Sequence, residues 1–310
     1  MIDVCFNVLH YQSFNATTMC VDSLLKLKGI EKCLIVILDN GSPNHSFELL
    51  KNRYSANPII KLLHSIENLG FSEGNNKLYR FSKLYNPQFI VVLNNDIEIR
   101  QKNFVDVLQK TYTANPSYLI GPDVYCPRGQ EHQSPLYKEL PSKVDIEKLV
   151  AERKSEIEYI DEALNLYRHR EKTENIRKYV PYWIIEIRKR LKHEFVNLHY
   201  KQQFIVNPVL QGSCIIVTKL FMKNEELLFT PDTGFYCEEM ILALRCKLNG
   251  YKTLYTRNLK VIHWHGISSG FQYVPSRESL ILKNKRLIKA YSMYLDLIDN
   301  NPWKERKQHS

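Results

Sequence analysis

An α/β fold, with a mostly parallel central sheet, helices on both faces and an inserted helical segment, is predicted by two observations. Apolar runs alternate with helix-forming stretches in the order strand, helix, strand, helix, strand, helix, strand over residues 3–93. The strongest run, C-L-I-V-I-L at 33–38, is almost continuously apolar, as a strand buried on both faces must be, and D-N-G-S-P at 39–43 stops it abruptly.

Taken in order, residues 3–9 alternate weakly and read as the first strand. A helix follows over 16–28, with Met19, Leu24 and Leu27 among its apolar positions and Gly29 at its end. After the 33–38 strand come a helix over 44–54, a short strand at 59–63, a polar turn, and a helix over 73–83. Q-F-I-V-V-L at 88–93 is the next strong strand. From 138 to 200 the chain becomes charge-rich and helix-prone, which reads as an inserted helical subdomain. Within it, Trp183, Ile184, Ile187 and Leu191 share a stripe flanked by Arg188, Lys189, Arg190 and Lys192. That pattern suits either a core stripe with a solvated face or a contact with a membrane surface or partner. Strands return at 214–218, 251–255 and 261–266. Helices cover 235–249, stopped by Gly250, and 276–298, where Lys283, Lys285, Arg286 and Lys289 form a second basic patch. The division expected is 1–137, 138–200, 201–275 and 276–310.

Composition narrows the class. The 310 residues are 44% apolar and 25% charged, a globular balance, and no apolar run is long enough to span a bilayer. Without a signal-like start, a cytoplasmic location is expected, with attachment to the inner membrane face left open. The seven cysteines have no C-x-x-C spacing and read as reduced, space-filling thiols. The formal charge of +10 suits nucleic acid, anionic lipid or a phosphorylated small molecule, and charge alone does not choose among them. No zinc-finger or RNA-binding aromatic signature is present, so no specific nucleic-acid partner is expected. A dinucleotide fingerprint, a P-loop and a G-x-S-x-G elbow are also missing.

Ligands of open parallel sheets sit beyond the carboxyl ends of the strands, where Asp39 and Asp96 fall. Asp96, in V-V-L-N-N-D-I-E-I at 91–99, is a hard oxygen ligand suited to Mg2+ or Mn2+. His263 and His265, two apart, share a face of the late strand, and either suits a metal or a leaving phosphate. Glu238 and Glu239 precede an apolar helix, where one could accept a proton from a hydroxyl. From composition and spacing alone, the simpler reading as ordinary helix-start acids prevails.

Together these stretches resemble family 2 glycosyltransferases of the GT-A fold, in particular bacterial rhamnosyltransferase-like enzymes of polysaccharide biosynthesis. The resemblance lies in I-L-D-N-G-S (37–42), E-N-L-G-F-S-E-G-N-N (67–76), V-V-L-N-N-D-I-E-I (91–99), Q-G-S (211–213), F-Y-C-E-E-M-I-L-A-L-R (235–245) and V-I-H-W-H-G-I-S-S-G (261–270). It implies that Asp39 contacts the nucleobase or ribose of a dTDP- or UDP-linked sugar donor, with Asn40, Gly41 and Ser42 shaping its loop. Gly70, Gly74 and Asn75 would shape the donor pocket. Asp96 would be the metal-contacting acid, preceded by Asn95 in the donor site, and His263 a late metal or diphosphate ligand. Glu239 matches the catalytic base of the family's acid pair, Glu238 the first acid, and Gly212 and Ser213 would border the acceptor, expected to be a lipid-linked oligosaccharide. Two departures stand out: Glu239 replaces the usual Asp, and Ile241 stands where the family often has Asp. The reaction implied is metal-dependent inverting transfer to a hydroxyl. A noncatalytic nucleotide-sugar-binding or assembly protein is the alternative.

Overall fold

The computed structural model describes residues 2–177, 201–264 and 274–303. The elements run β1 (Val4–His10), α1 (Phe14–Leu24), β2 (Cys33–Asn40), α2 (Ser46–Tyr54), β3 (Ile60–Ser65), α3 (Gly70–Lys83), β4 (Phe89–Asn94) and β5 (Ile97–Glu98). Next come α4 (Phe104–Ala114), β6 (Leu119–Cys126), β7 (Glu131–His132), α5 (Lys143–Glu158) and α6 (Ile160–Arg177). The later part holds β8 (Phe204–Val206), β9 (Cys214–Thr218), α7 (Lys219–Asn224), α8 (Glu238–Asn249), β10 (Thr253–His263) and α9 (Arg277–Asn300). One sheet has the order β3-β2-β1-β4-β9-β6-β10-β5, with β7 on β6 and β8 on β10. β3, β2, β1 and β4 pair in parallel, as do β6 and β10, and β9 runs against both of its neighbours.

The period of two explains why the central runs are apolar throughout. Val4, Phe6, Val8, Ile35, Ile37, Val91 and Leu93 enter one core, shared with Cys20 and Leu24 of α1 and Phe104 and Leu108 of α4. Cys5, Leu34, Val36, Leu38, Ile90 and Val92 enter the other, with Leu78 and Tyr79 of α3, Phe221 of α7 and Leu242 of α8. Each face is covered, so neither phase of the alternation tolerates polarity. All seven cysteines are buried free thiols.

The stretch at 91–99 is not one strand. β4 ends at Asn94, the chain turns at Asn95 and Asp96, and β5 joins the far edge of the sheet, antiparallel to β10 with Ile97 opposite His263. The strands expected at 251–255 and 261–266 are, over the described residues, one strand, β10, which ends at His263 and has a register shift between Thr256 and Lys260. The helix expected from 235 starts at Glu238, because Tyr236 (φ 75°) and Cys237 (φ 66°) are left-handed. The first helix lies earlier than expected, at Phe14–Leu24.

α5 opens with a reciprocal cap between Ser142 and Asp145, and α9 with Ser276 accepting from the Ser279 N–H at 3.1 Å. Ile146 of α5, Met240, Ile241 and Leu244 of α8, and Ala290, Tyr294 and Leu297 of α9 share a third apolar cluster. Ile241 is buried there, which accounts for an apolar residue at a position where an acid was the familiar pattern. Among the described residues no helix is long and apolar enough to cross a membrane. The basic stripe expected at 183–192, and His265, lie outside the described residues.

Candidate active site

Two adjoining cavities open beyond the carboxyl ends of β1, β2 and β4, and they share Phe71, Asn94 and Phe235. The smaller, of about 560 Å³, is lined by Leu9, Gln12, Asn40, Asn68, Gly70 and Asn95 among others. The larger, of about 630 Å³, contains Asp96, Gln133, Gly212, Glu238, Glu239 and His263, with Leu287 and Tyr291 of α9 in its wall. A still larger groove of about 780 Å³, lined by Lys110, Lys201, Arg257 and Lys260, holds none of these acids. Chemistry, not size, therefore picks out the site.

Around the smaller cavity the predicted residues divide into lining and support. Asn40 lines it and ties two loops together: its Nδ2 donates to Asn68 Oδ1 (3.1 Å) and Gly70 O (3.0 Å), and its Oδ1 accepts from Leu69 N–H (3.1 Å). Asp39, beside it, is fully buried and faces inward. Its Oδ2 lies 2.9 Å from His64 Nδ1 and accepts from Ser42 N–H at 3.3 Å, while Oδ1 lies 3.7 Å from His10 Nε2. Burial lowers the His10 pKa to about 4, against the opposing pull of Asp39. His10 continues the network through Thr17 (2.6 Å) and Ser46 (2.9 Å), and Thr17 accepts from Asn95 Nδ2 at 3.0 Å. The ends of β1, β2 and β4 are thus joined by buried side chains. Ser42 Oγ accepts from Gln12 N–H at 2.8 Å. Gly41 has φ +71°, and a Cβ there would lie 2.3 Å from the Glu67 carbonyl carbon, so no larger residue fits this turn. Gly74 lets α3 approach β1, since a Cβ would meet Leu9 Cδ1 at 2.8 Å. Asn75 is buried within α3, its Nδ2 donating to Phe71 O at 2.9 Å.

In the larger cavity, the pairing of β5 with β10 carries Asp96 to His263. Their side chains are nearly fully buried, with Oδ1 and Nε2 3.3 Å apart, and Trp264 N–H donates to Asp96 O at 2.9 Å. Glu98 is turned away, accepting from Trp264 Nε1 (2.9 Å) and pairing with Arg100, so it serves the fold. Among the described residues no three or more His, Cys, Asp or Glu side chains converge as a metal cage. A carboxylate and an imidazole nitrogen in a cavity instead suit a divalent ion whose other positions belong to substrate phosphates and water.

Glu238 and Glu239 stand in the first turn of α8. Glu238 is buried, and burial, with the neighbouring Glu239 charge adding, pushes its pKa up to about 7. Glu239 is half-buried; burial raises its pKa, opposed by hydrogen bonds from its own backbone and from Gly212 N–H. Gly212 leaves room for this carboxylate, since a Cβ there would lie 2.3 Å from Glu239 Oε1 and the Glu239 side chain would have to move. Asn94 N–H donates to Ser213 O at 3.0 Å, which sets this turn beside the end of β4. A stability prediction follows from Glu238. With a folded pKa near 7 and an ordinary value of 4.5, unfolding releases its proton between those values. The fold therefore loses stability as pH rises through that window and holds a constant penalty above it. Glu238→Gln, compared with the parent in urea unfolding, is expected to gain roughly 3 kcal/mol between about pH 4 and pH 8. Parallel pH profiles for the two proteins would refute the assignment.

Several lining residues were not singled out from the sequence: Gln133, Tyr137, Phe235, Leu287 and Tyr291. Phe235 carries the Arg286 guanidinium 4.8 Å above its ring, which draws one member of the expected basic patch on α9 to the rim of both cavities. The F-Y pair just before the two acids was the available signal for Phe235. Nothing local marked the α9 residues.

A curled, mostly parallel sheet with helices on both faces and its crevice at the carboxyl strand ends is an α/β architecture of the GT-A fold. Glycosyl transferase family 2 matches residues 6–179, more than half the chain, and the protein belongs to that family. The match ends before Gly212, Glu238, Glu239 and His263, whose grouping rests on geometry. Among solved structures, S. aureus TarS 1–349 in complex with UDP is similar at 12% identity, with 82% of this chain and 61% of that chain covered and a TM-score of 0.49. TarS 1–349 is similar at 13% identity, 83% and 60% coverage and a TM-score of 0.47. A longer TarS structure is similar at 16% identity, 40% and 22% coverage and a TM-score of 0.36. The chain thus spans about three-fifths or less of these three solved chains. No curated protein matches it.

Proposed function

We propose that this protein is an inverting glycosyltransferase that moves a sugar, with rhamnose the first candidate, from a dTDP- or UDP-linked donor to a hydroxyl of a lipid-linked bacterial polysaccharide. The carrying observation is the pair of adjoining cavities, one with amide groups suited to a nucleotide and the other with Asp96, His263 and two acids. Family membership supports sugar transfer. In this reading Asn40, Gly70 and Asn95 line the nucleotide side, and Asp39, Gly41, Ser42, Gly74 and Asn75 hold its walls. Glu239 takes the acceptor proton as the acceptor oxygen bonds to the anomeric carbon and the bond to the diphosphate breaks on the opposite side. Glu238 stands behind it. Asp96 and His263 would hold Mg2+ or Mn2+, which when bound supplies positive charge against the departing diphosphate. The exposed Lys283, Lys285 and Lys289 of α9 suit a peripheral position at an anionic membrane face, where a lipid-linked acceptor would be met. A screen of dTDP-rhamnose, UDP-galactofuranose and UDP-hexoses with Mn2+, reading nucleotide binding and released dTDP or UDP, tests the reading. Absence of binding to every donor would overturn it.

A further inference from the structure

We propose that Gln133 is a positioning residue of the metal-binding corner, holding His263 with Nε2 presented as a lone pair toward Asp96. The inference rests on the proposed metal site. Gln133 directly follows β7, and its backbone N–H donates to Val124 O of β6 at 2.8 Å, which fixes where its side chain starts. Its Oε1 lies 2.7 Å from His263 Nδ1, while His263 Nε2 lies 3.3 Å from Asp96 Oδ1. The three side chains form a relay into the larger cavity.

The chemistry follows from the single N–H of a neutral imidazole. When Nδ1 carries it and donates to the Gln133 oxygen, Nε2 has only a lone pair to offer, and it faces a carboxylate oxygen. Two electron-rich atoms set together in this way are a cation site. With the other tautomer, Nε2–H would donate to Asp96, and both atoms would be spent on each other. The acceptor at Nδ1 therefore decides whether this corner binds a cation or closes on itself, as outer partners of metal-bound histidines generally do. An amide supplies that acceptor without adding another negative charge beside Asp96.

The test is Mn2+ binding followed by electron paramagnetic resonance with UDP as the nucleotide probe, on the parent, Gln133→Leu, Gln133→Glu and Asp96→Asn. Gln133→Leu is expected to weaken Mn2+ about 10–100-fold. Gln133→Glu, which can only accept at Nδ1, is expected to bind at least as tightly as the parent, and Asp96→Asn to lose binding. If Gln133→Leu binds like the parent while Asp96→Asn does not, the role of Gln133 is overturned and the metal site stands. Equal losses in the Leu and Glu variants also overturn it. If Asp96→Asn binds like the parent, or the parent binds no Mn2+, the metal site and this inference fall together. A second readout needs no variant at position 133. The ¹⁵N signals of His263, assigned by its loss in His263→Ala, are expected to show a protonated Nδ1 in the parent with Mg2+ and UDP, and a protonated Nε2 would refute the proposal.

Discussion

Glu239→Gln is expected to cut sugar transfer by about 10²–10⁴-fold, the range for removal of a general base, while nucleotide binding stays at the parent level. The carboxylate is held at the first turn of α8, takes the Gly212 N–H, and faces the cavity that also holds Asp96 and His263. Glutamine keeps the shape and can still accept from Gly212, so the change removes proton affinity and little else. Steady-state release of the nucleoside diphosphate in the presence of acceptor, paired with calorimetric binding of UDP, separates the two effects. Turnover equal to the parent would remove Glu239 from the mechanism. Loss of binding together with turnover would assign it to the donor site instead.

The second large effect is expected for Asp96→Asn. Asp96 is the carboxylate of the cavity nearest His263, and an amide there keeps the turn between β4 and β5 but not the charge. Losing a direct ligand should cost more than the 10–100-fold of an outer partner, so transfer and Mn2+-dependent UDP binding are expected to fall by at least about 10²-fold. Metal-independent UDP binding is expected to persist through the smaller cavity. Titrations with and without Mn2+ decide it, and an unchanged metal dependence would exclude Asp96 as a ligand.

The sheet could be read from the sequence wherever both faces of a strand are buried, because burial on both sides leaves an uninterrupted apolar run, as in β2 and β4. It was unreadable at β6, where Gly121 and Pro122 break the pattern although the strand lies between β9 and β10. Gly121 is there for space: a Cβ would meet Leu210 Cδ2 at 2.6 Å. α4 escaped with it. Of the site, the acids and His263 were legible as residue types at strand and helix ends. Their distances were not, since Asp96 meets His263 only through an antiparallel pairing in which His263 lies opposite Ile97, 166 positions earlier. Asp39 shows the converse. Its position after β2 was evident, but its inward turn depends, besides Ser42 of its own loop, on His64 and His10 from two other strands.

The contribution of α9 to the larger cavity bears on when the protein becomes competent as it is made. Leu287 and Tyr291 wall that cavity, and Arg286 covers Phe235, yet α9 is translated after all ten strands. Synthesis proceeds at roughly 5–20 residues per second, so the strands and the residues of the smaller cavity emerge seconds before this wall does. A nascent chain would thus have the lining of the smaller cavity, from Leu9 to Phe235, before the larger one is fully walled.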